Sequence, residues 1–228
     1  MIKKLTLLIP VKKEKESLGI FIKKLNKYGY KKLLIVDKND KTNYKKIIKT
    51  AKDTKIYISK KTGYGNALIE GINKIPTKYF CIINADGSMD PNEISKMIKL
   101  TKVNSFIFGS RYLKGAGSED DDFITFIGNK FFSLIGKIFF KLKISDILYT
   151  FVIGETKLAR NINLKSRDFR ICVELPIKVH NFKLKYTDYP CYELKRIGGK
   201  KKVNAFKDGL LILLKMIILF FAIIFKKN

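Results

Sequence analysis

The chain has 228 residues, enough for one large domain with an appendage but not for two full domains. Its 46% hydrophobic content excludes a disordered chain, and its formal net charge of +27 raises nucleic acid or an anionic membrane as partners. Only Arg111, Arg160, Arg167, Arg170 and Arg196 among the 47 basic residues are arginine, and the lysines run along the whole chain. Arginine makes the bidentate contacts that bases and phosphates favour, so this balance argues against a nucleic-acid reader and leaves a lipid surface open. Cys81, Cys172 and Cys191 show no paired spacing, and His180 is the sole histidine. That composition argues against a zinc site and reads as reduced, packed thiols in a cytosolic protein.

In chain order, Leu5–Ile9 reads as a buried strand rather than a signal peptide, because the apolar run is short and charge follows Pro10. A helical pattern runs through Leu18, Phe21, Ile22 and Leu25, and Lys32–Val36 is a second buried strand ending at Asp37. A helix over Tyr44–Ala51, a strand at Ile56–Ser59, a helix from Asn66 to Ile75 and a strand at Tyr79–Asn84 follow. This alternation predicts an α/β fold, a mainly parallel sheet with helices on both faces and ligands beyond the carboxyl ends of the strands.

After Ser105–Gly109 the rhythm changes. A loop over 114–122 ends in Glu119-Asp120-Asp121-Asp122, and a basic amphipathic helix is expected over Ile127–Leu142. Strand-like pieces, a basic stretch over 195–202 and a terminal apolar helix complete the chain. The expected organisation is a nucleotide-binding half (1–115), an acceptor half (116–205) and a membrane-contacting tail (206–228).

The segment Asn84-Ala85-Asp86-Gly87-Ser88-Met89-Asp90-Pro91 carries the chemistry. A carboxylate just past a buried strand can ligate Mg²⁺ or Mn²⁺, which would hold a diphosphate as leaving group. Asp90 before Pro91 reads as a helix cap, whereas a cap does not account for Asp86, Gly87 and Ser88.

This segment resembles the D-x-D motif of family-2 glycosyltransferases. Five further stretches resemble that family in order: Ile9-Pro10-Val11-Lys12-Lys13-Glu14, Ile35-Val36-Asp37, Gly63-Tyr64-Gly65-Asn66, Gly109-Ser110-Arg111-Tyr112 and the loop from Arg196 to Lys202. The last is similar to a loop of polyprenyl-phosphate glycosyltransferases such as dolichyl-phosphate mannose synthase. The resemblance implies the GT-A fold and a sugar moved from a nucleoside diphosphate to a lipid-linked or glycan acceptor. It implies a nucleoside pocket lined by Pro10, Glu14, Asp37 and Ala85, with Gly63 and Gly65 letting the backbone approach the nucleotide. Asp86 would be the metal ligand, Ser88 would contribute directly or through it, and Arg111, Arg196 and Lys200 would meet phosphates. Glu174 is the family position near the acceptor and, with Asp120, Asp121 and Asp122, a candidate base for a hydroxyl acceptor; a phosphate acceptor needs none.

The sequence departs from the family pattern at several places. Asn84 stands where the motif usually has its first Asp, Lys38 replaces the second acid of an Asp-Asp pair, and Lys13 replaces the Asn before Glu14. The acidic run 119–122 lies where polyprenyl-phosphate enzymes carry arginines. A dinucleotide-dependent oxidoreductase would need G-x-G-x-x-G after the first strand, which is missing. A glycosyltransferase-like scaffold without activity, suggested by Asn84, is the main alternative.

The terminal run Leu210–Phe225 would extend about 24 Å as a helix, short of the roughly 30 Å hydrocarbon core, and it contains Lys215. It is expected to lie in the cytoplasmic interface of a membrane with Lys215 reaching the headgroups, and Ile127–Leu142 to be a second contact.

Overall fold

The computed structural model describes residues 2–198 and 204–225. Strands β1 (Leu5–Val11), β2 (Lys31–Val36), β3 (Thr54–Ile58) and β4 (Tyr79–Ile82) alternate with helices α1 (Leu18–Asn26), α2 (Tyr44–Ile47) and α3 (Tyr64–Lys74). After helix α4 (Pro91–Met97) come β5 (Phe106–Ser110), the short β6 (Gly117–Ser118) and helix α5 (Phe123–Phe140). Strand β7 (Val152–Glu155), helices α6 (Thr156–Asn161) and α7 (Ile171–Asn181), strands β8 (Tyr186–Pro190) and β9 (Tyr192–Glu193), and helix α8 (Ala205–Ile224) follow.

The main sheet has seven strands in the order β3-β2-β1-β4-β7-β5-β8. β1 runs parallel to β2 and β4, and β8 runs parallel to β5. Only β7 is reversed, antiparallel to both β4 and β5. The α/β architecture expected from the strand–helix rhythm is therefore present. β7 and β8 come from the second half of the chain, so both halves build one sheet.

Each face of the sheet carries its own core because side chains alternate along a strand. Leu5, Leu7 and Ile9 of β1 pack with Leu18, Phe21 and Leu25 of α1 and with Ile94 and Met97 of α4. Leu8, Leu33 and Ile35 point the other way, into a core shared with α3, α5, α7 and α8. There α3 lies so close to the sheet that a Cβ on Gly71 would come within 2.2 Å of Leu8 Cδ1.

Pro10 marks where the sheet opens. The β1–β4 pairing ends at Leu8↔Ile82, while pairing with β2 continues to Val11↔Val36. Pro10 has no N–H to donate, and it lies beyond the last β4 pair, so no ladder bond is lost.

Some element ends differ from the sequence reading. α2 spans one turn rather than reaching Ala51, and the amphipathic helix begins at Phe123, four residues earlier than expected. Asp122 causes the second difference: its side chain accepts from the Thr125 amide at 2.8 Å and caps α5.

Candidate active site

The carboxyl ends of β1, β2 and β4 deliver three loops to one edge of the sheet. Asp37, one residue past β2, accepts from Thr62 Oγ1 at 2.6 Å and from the Gly63 amide at 3.2 Å. It also accepts from the Asn39 amide at 3.0 Å, and Lys12 Nζ stands 3.2 Å away. Burial opposes the charge of Asp37, but these donors outweigh it and hold the carboxyl down at about 2. Asp37 is therefore a fixed anion. Beside it, Lys13, Lys15, Asn39, Asp40 and Thr42 line an open cavity of about 520 Å³. Tyr44 ties the two flanking loops together, donating to Asp40 Oδ2 at 2.7 Å and accepting from the Glu14 amide at 2.9 Å. Glu14 itself is buried and accepts from Ser17 Oγ at 2.7 Å.

The loop after β4 presents Asp86. The hydroxyl and the amide of Ser88 both donate to Asp86 Oδ1, at 3.0 and 3.1 Å. They fix the carboxylate and leave Oδ2 facing Arg196 Nη1 at 3.8 Å. Ala85 is buried behind the loop. Gly87 takes φ +79°, and a Cβ there would also strike the Ile197 side chain at 2.4 Å. Asp90 accepts from the Asn92 amide at 3.1 Å and has Pro91 at the first turn, the cap expected of it. Asn84 accepts from Tyr64 Oη at 3.1 Å, and the same hydroxyl meets Thr150 Oγ1 at 2.8 Å.

A strip of chain near the carboxyl terminus covers this loop. The Leu194 amide donates to the Ser88 carbonyl and the Ile197 amide to the Asp86 carbonyl, both at 2.8 Å. Arg196 is thereby placed over Asp86, and it also binds Asp120 through Nε at 3.0 Å and Nη2 at 2.5 Å.

The sequence matches Glycosyl transferase family 2 over residues 6–162, more than half of the chain. The chain belongs to glycosyltransferase family 2. It is 24% identical over 185 residues to a dolichol-phosphate mannosyltransferase of Pyrococcus furiosus, covering 77% of this chain and 53% of that protein. It is 29% identical over 107 residues to an uncharacterized glycosyltransferase of Mycobacterium bovis, covering 46% of this chain and 48% of the relative. The chain thus spans about half the length of these curated relatives. Its fold is similar to glucosyl-3-phosphoglycerate synthase from Mycobacterium tuberculosis solved with Mn²⁺, UDP and glucosyl-3-phosphoglycerate. That similarity has a TM-score of 0.73 at 8% identity, covering 94% of this chain and 79% of that one. The same enzyme with Mg²⁺ and UDP gives a TM-score of 0.70 at 8% identity, covering 94% and 78%. These likenesses establish the GT-A fold.

The structure places Pro10, Glu14, Asp37, Ala85, Asp86 and Ser88 at the carboxyl ends of β1, β2 and β4 and Arg196 over Asp86, while Lys200 lies outside the described residues. Two sequence readings need correction. Arg111 is not open to a phosphate: it is buried, and its guanidinium and amide meet Asp146 at 2.7 to 3.2 Å. Its Nη1 is 3.1 Å from both Asp121 and Glu193, so three carboxylates occupy it. Glu174 is not placed to take an acceptor proton. It is fully buried and accepts from the Lys165 amide at 3.1 Å and the Ser166 amide at 2.6 Å, while Lys178 and Lys215 approach at 2.9 and 3.4 Å. Burial opposes its charge, yet Lys178, Ser166 and Lys215 hold its carboxyl down at about 2.

The segment that Glu174 anchors also accounts for the two glycines expected to admit the nucleotide. A Cβ on Gly65 would meet the Ser166 carbonyl at 2.2 Å, and one on Gly63, which takes φ +114°, would meet the Arg167 carbonyl at 2.3 Å. What approaches these glycines is the chain's own 166–168 segment. Sequence reasoning missed Thr62, Tyr64, Asp146 and Glu193. Only Tyr64, between the two glycines of a recognised motif, carried a local signal.

Proposed function

We propose that this glycosyltransferase moves a sugar from a nucleoside diphosphate to an acceptor at a lipid surface, with Asp86 at the donor diphosphate. The observation that carries this reading is the placement of Asp86, fixed through Oδ1 by Ser88 with Oδ2 directed toward Arg196. Ser88 accordingly serves Asp86 rather than a metal directly.

A divalent cation fits this donor set. Among the described residues no three His, Cys, Asp or Glu side chains gather as a metal cage. Mg²⁺ is commonly held by one or two carboxylates together with substrate phosphates, and Asp86 supplies one such carboxylate. Bound there with the donor, Mg²⁺ or Mn²⁺ would supply Lewis-acid neutralisation of the diphosphate. Arg196 adds fixed positive charge where the leaving group develops negative charge. The open cavity beside Asp37 suits the ribose and base, with Lys13, Asn39 and Asp40 supplying donors and acceptors in its lining.

The lipid surface is supported by the α5–α8 pair. By length and composition α5 is the one described helix able to cross a membrane, and only 28% of it is buried. Phe131, Leu134 and Ile138 of α5 and Leu214, Ile218 and Phe221 of α8 are all exposed. Contiguous apolar surface of this kind marks a membrane or protein contact, and the lysine-rich chain favours anionic lipid. The three cysteines are free and buried, which fits a reducing compartment on the cytoplasmic side.

The test is titration of UDP and GDP into the protein with and without Mn²⁺. Asp86→Ala should weaken the Mn²⁺-dependent affinity by about 30- to 100-fold, roughly 2–3 kcal/mol. Unchanged affinity in a folded variant would remove Asp86 from the diphosphate.

A further inference from the structure

From Leu210 to Phe225 α8 is apolar except at Lys215. That lysine turns inward, with only 16% of its side chain exposed, and reaches Glu174 of α7 at 3.4 Å. Glu174 already has a counter-ion, because Lys178, one turn along α7, stands 2.9 Å away. Burying a second cation is costly, and one carboxylate does not offset two. What Lys215 adds is register: it ties one point of α8 to one point of α7.

From Glu174 the connection runs on toward the donor site. Its carboxylate accepts from the Lys165 amide at 3.1 Å and the Ser166 amide at 2.6 Å, which fixes the start of the 165–169 segment. That segment lies against the turn that leads into α3. The Asn66 amide donates to the Arg167 carbonyl at 3.1 Å, and the carbonyls of Ser166 and Asp168 fill the space a side chain on Gly65 would need. The Asn66 side chain donates to the Thr62 carbonyl at 2.7 Å, and Thr62 and Gly63 donate to Asp37. At the far end of the segment Phe169 stacks on Tyr64, which donates to Asn84, two residues before Asp86. One segment therefore bears on both the Asp37 side and the Asp86 side of the site.

We infer that Lys215 is a positioning residue for donor binding: through Glu174 it sets the 165–169 segment against the Gly63–Asn66 turn and so places Asp37 and Asn84. The inference rests on the reading of the Asp37 and Asp86 loops as the donor site. The helix with the apolar outer face and the nucleotide loop are thereby parts of one brace. Losing the Lys215 charge leaves Glu174 with Lys178 and both amides, so the fold is kept. The carboxylate then relaxes toward Lys178 and carries the two amides, and the segment behind them, away from the turn.

The experiment measures Mn²⁺-dependent UDP and GDP affinity by calorimetry, with circular dichroism showing each variant folded at the titration temperature. Lys215→Met keeps the apolar stem and removes the charge, and it should weaken affinity about five- to tenfold, the size of effect met along such packed networks. Lys215→Arg still meets Glu174 and should bind within about twofold of wild type. Leu25→Ala, in the core on the opposite face of the sheet, should lower the urea midpoint at least as far yet leave affinity unchanged, which separates positioning from stability. Phe169→Leu breaks the stack on Tyr64 and should weaken affinity by a similar factor. Combined with Lys215→Met it should cost less than the product of the two, because both act through one segment. A folded Lys215→Met protein that binds within about twofold of wild type would overturn the assignment, and so would a double variant whose loss equals that product. If Lys215→Met does not fold, Lys215→Gln carries the same expectation and the same refutation. Absence of any Mn²⁺-dependent UDP or GDP binding by wild type would instead reject the donor-site reading beneath it.

Discussion

Asn84 is the residue where this chain departs most visibly from the family motif, and its surroundings show how the change is accommodated. Its Oδ1 accepts from Tyr64, whose ring stacks on Phe169 with centroids 5.1 Å apart and whose hydroxyl also meets Thr150. An aspartate at this position would keep the Tyr64 bond and add charge-assisted strength to it. Asn84→Asp should therefore fold and should raise Mn²⁺-dependent nucleotide affinity by about threefold or more, since a second carboxylate joins Asp86. A loss of affinity in calorimetric titration would show that the amide has a role of its own. Lys13 is a comparable departure with a different cause. Its φ is +54°, a left-handed conformation that asparagine adopts more readily than lysine, which explains the residue usual before the glutamate. The motif thus records a backbone requirement as well as chemistry.

Elements built from local pattern were legible in the sequence, and elements fixed by distant partners were not. The strands β1, β2 and β4 are continuous apolar runs, and the Asp86 loop follows one of them, so periodicity and motif place both. The partners of Arg111 are Asp121 and Asp146 of two separate loops and Glu193 of β9, far apart in the chain, and no spacing announces them. Glu174 misled for the same reason: as a motif position it reads as a base, while its burial depends on α8 closing over α7. In the folded chain it ties the 165–166 amides, Lys178 of α7 and Lys215 of α8 into one knot. Lys215 accordingly points into the protein, not toward headgroups as the sequence suggested. Glu174→Gln leaves two lysines without their counter-ion and should destabilise the fold by about 3–5 kcal/mol, read as a lower urea midpoint. Its pH signature follows from the lowered carboxyl. The contribution is complete above the unfolded value near 4.5 and is lost as pH falls toward about 2. Wild-type melting temperature should drop through that window, and the Glu174→Gln protein should show a shallower drop.

At the scale of the whole molecule, α5 and α8 cover one face of the sheet and leave an apolar surface on their far side. α8 buries Ile212, Met216 and Leu219 against the core, so its inner face is already satisfied. Phe139 and Phe140 of α5 pack edge-on against Phe220 of α8, with centroids 5.6 and 6.0 Å apart, which makes the pair a single unit. The outer side chains Phe131, Leu134, Ile138, Leu214, Ile218 and Phe221 remain in water. Moving side chains of this size out of water is worth about 1.5–3 kcal/mol each at full burial, and partial insertion gives less. With Lys215 turned inward onto Glu174, the charge that most opposed insertion of α8 is withdrawn from its outer face. Anionic headgroups add about 1 kcal/mol for each lysine near the surface, and salt weakens that part alone. Wild-type protein should therefore float with phosphatidylserine-containing liposomes and stay partly bound in 0.5 M salt. Replacing Leu134, Ile138, Leu214 and Ile218 with serine should release it at both salt concentrations. Mn²⁺-dependent nucleotide binding should survive, because none of the four touches Asp37, Asp86 or Arg196. A quadruple variant that still floats would move the membrane contact elsewhere. A wild-type protein that ignores liposomes but sediments as a dimer, which the variant does not, would assign the apolar face to a second copy of the chain.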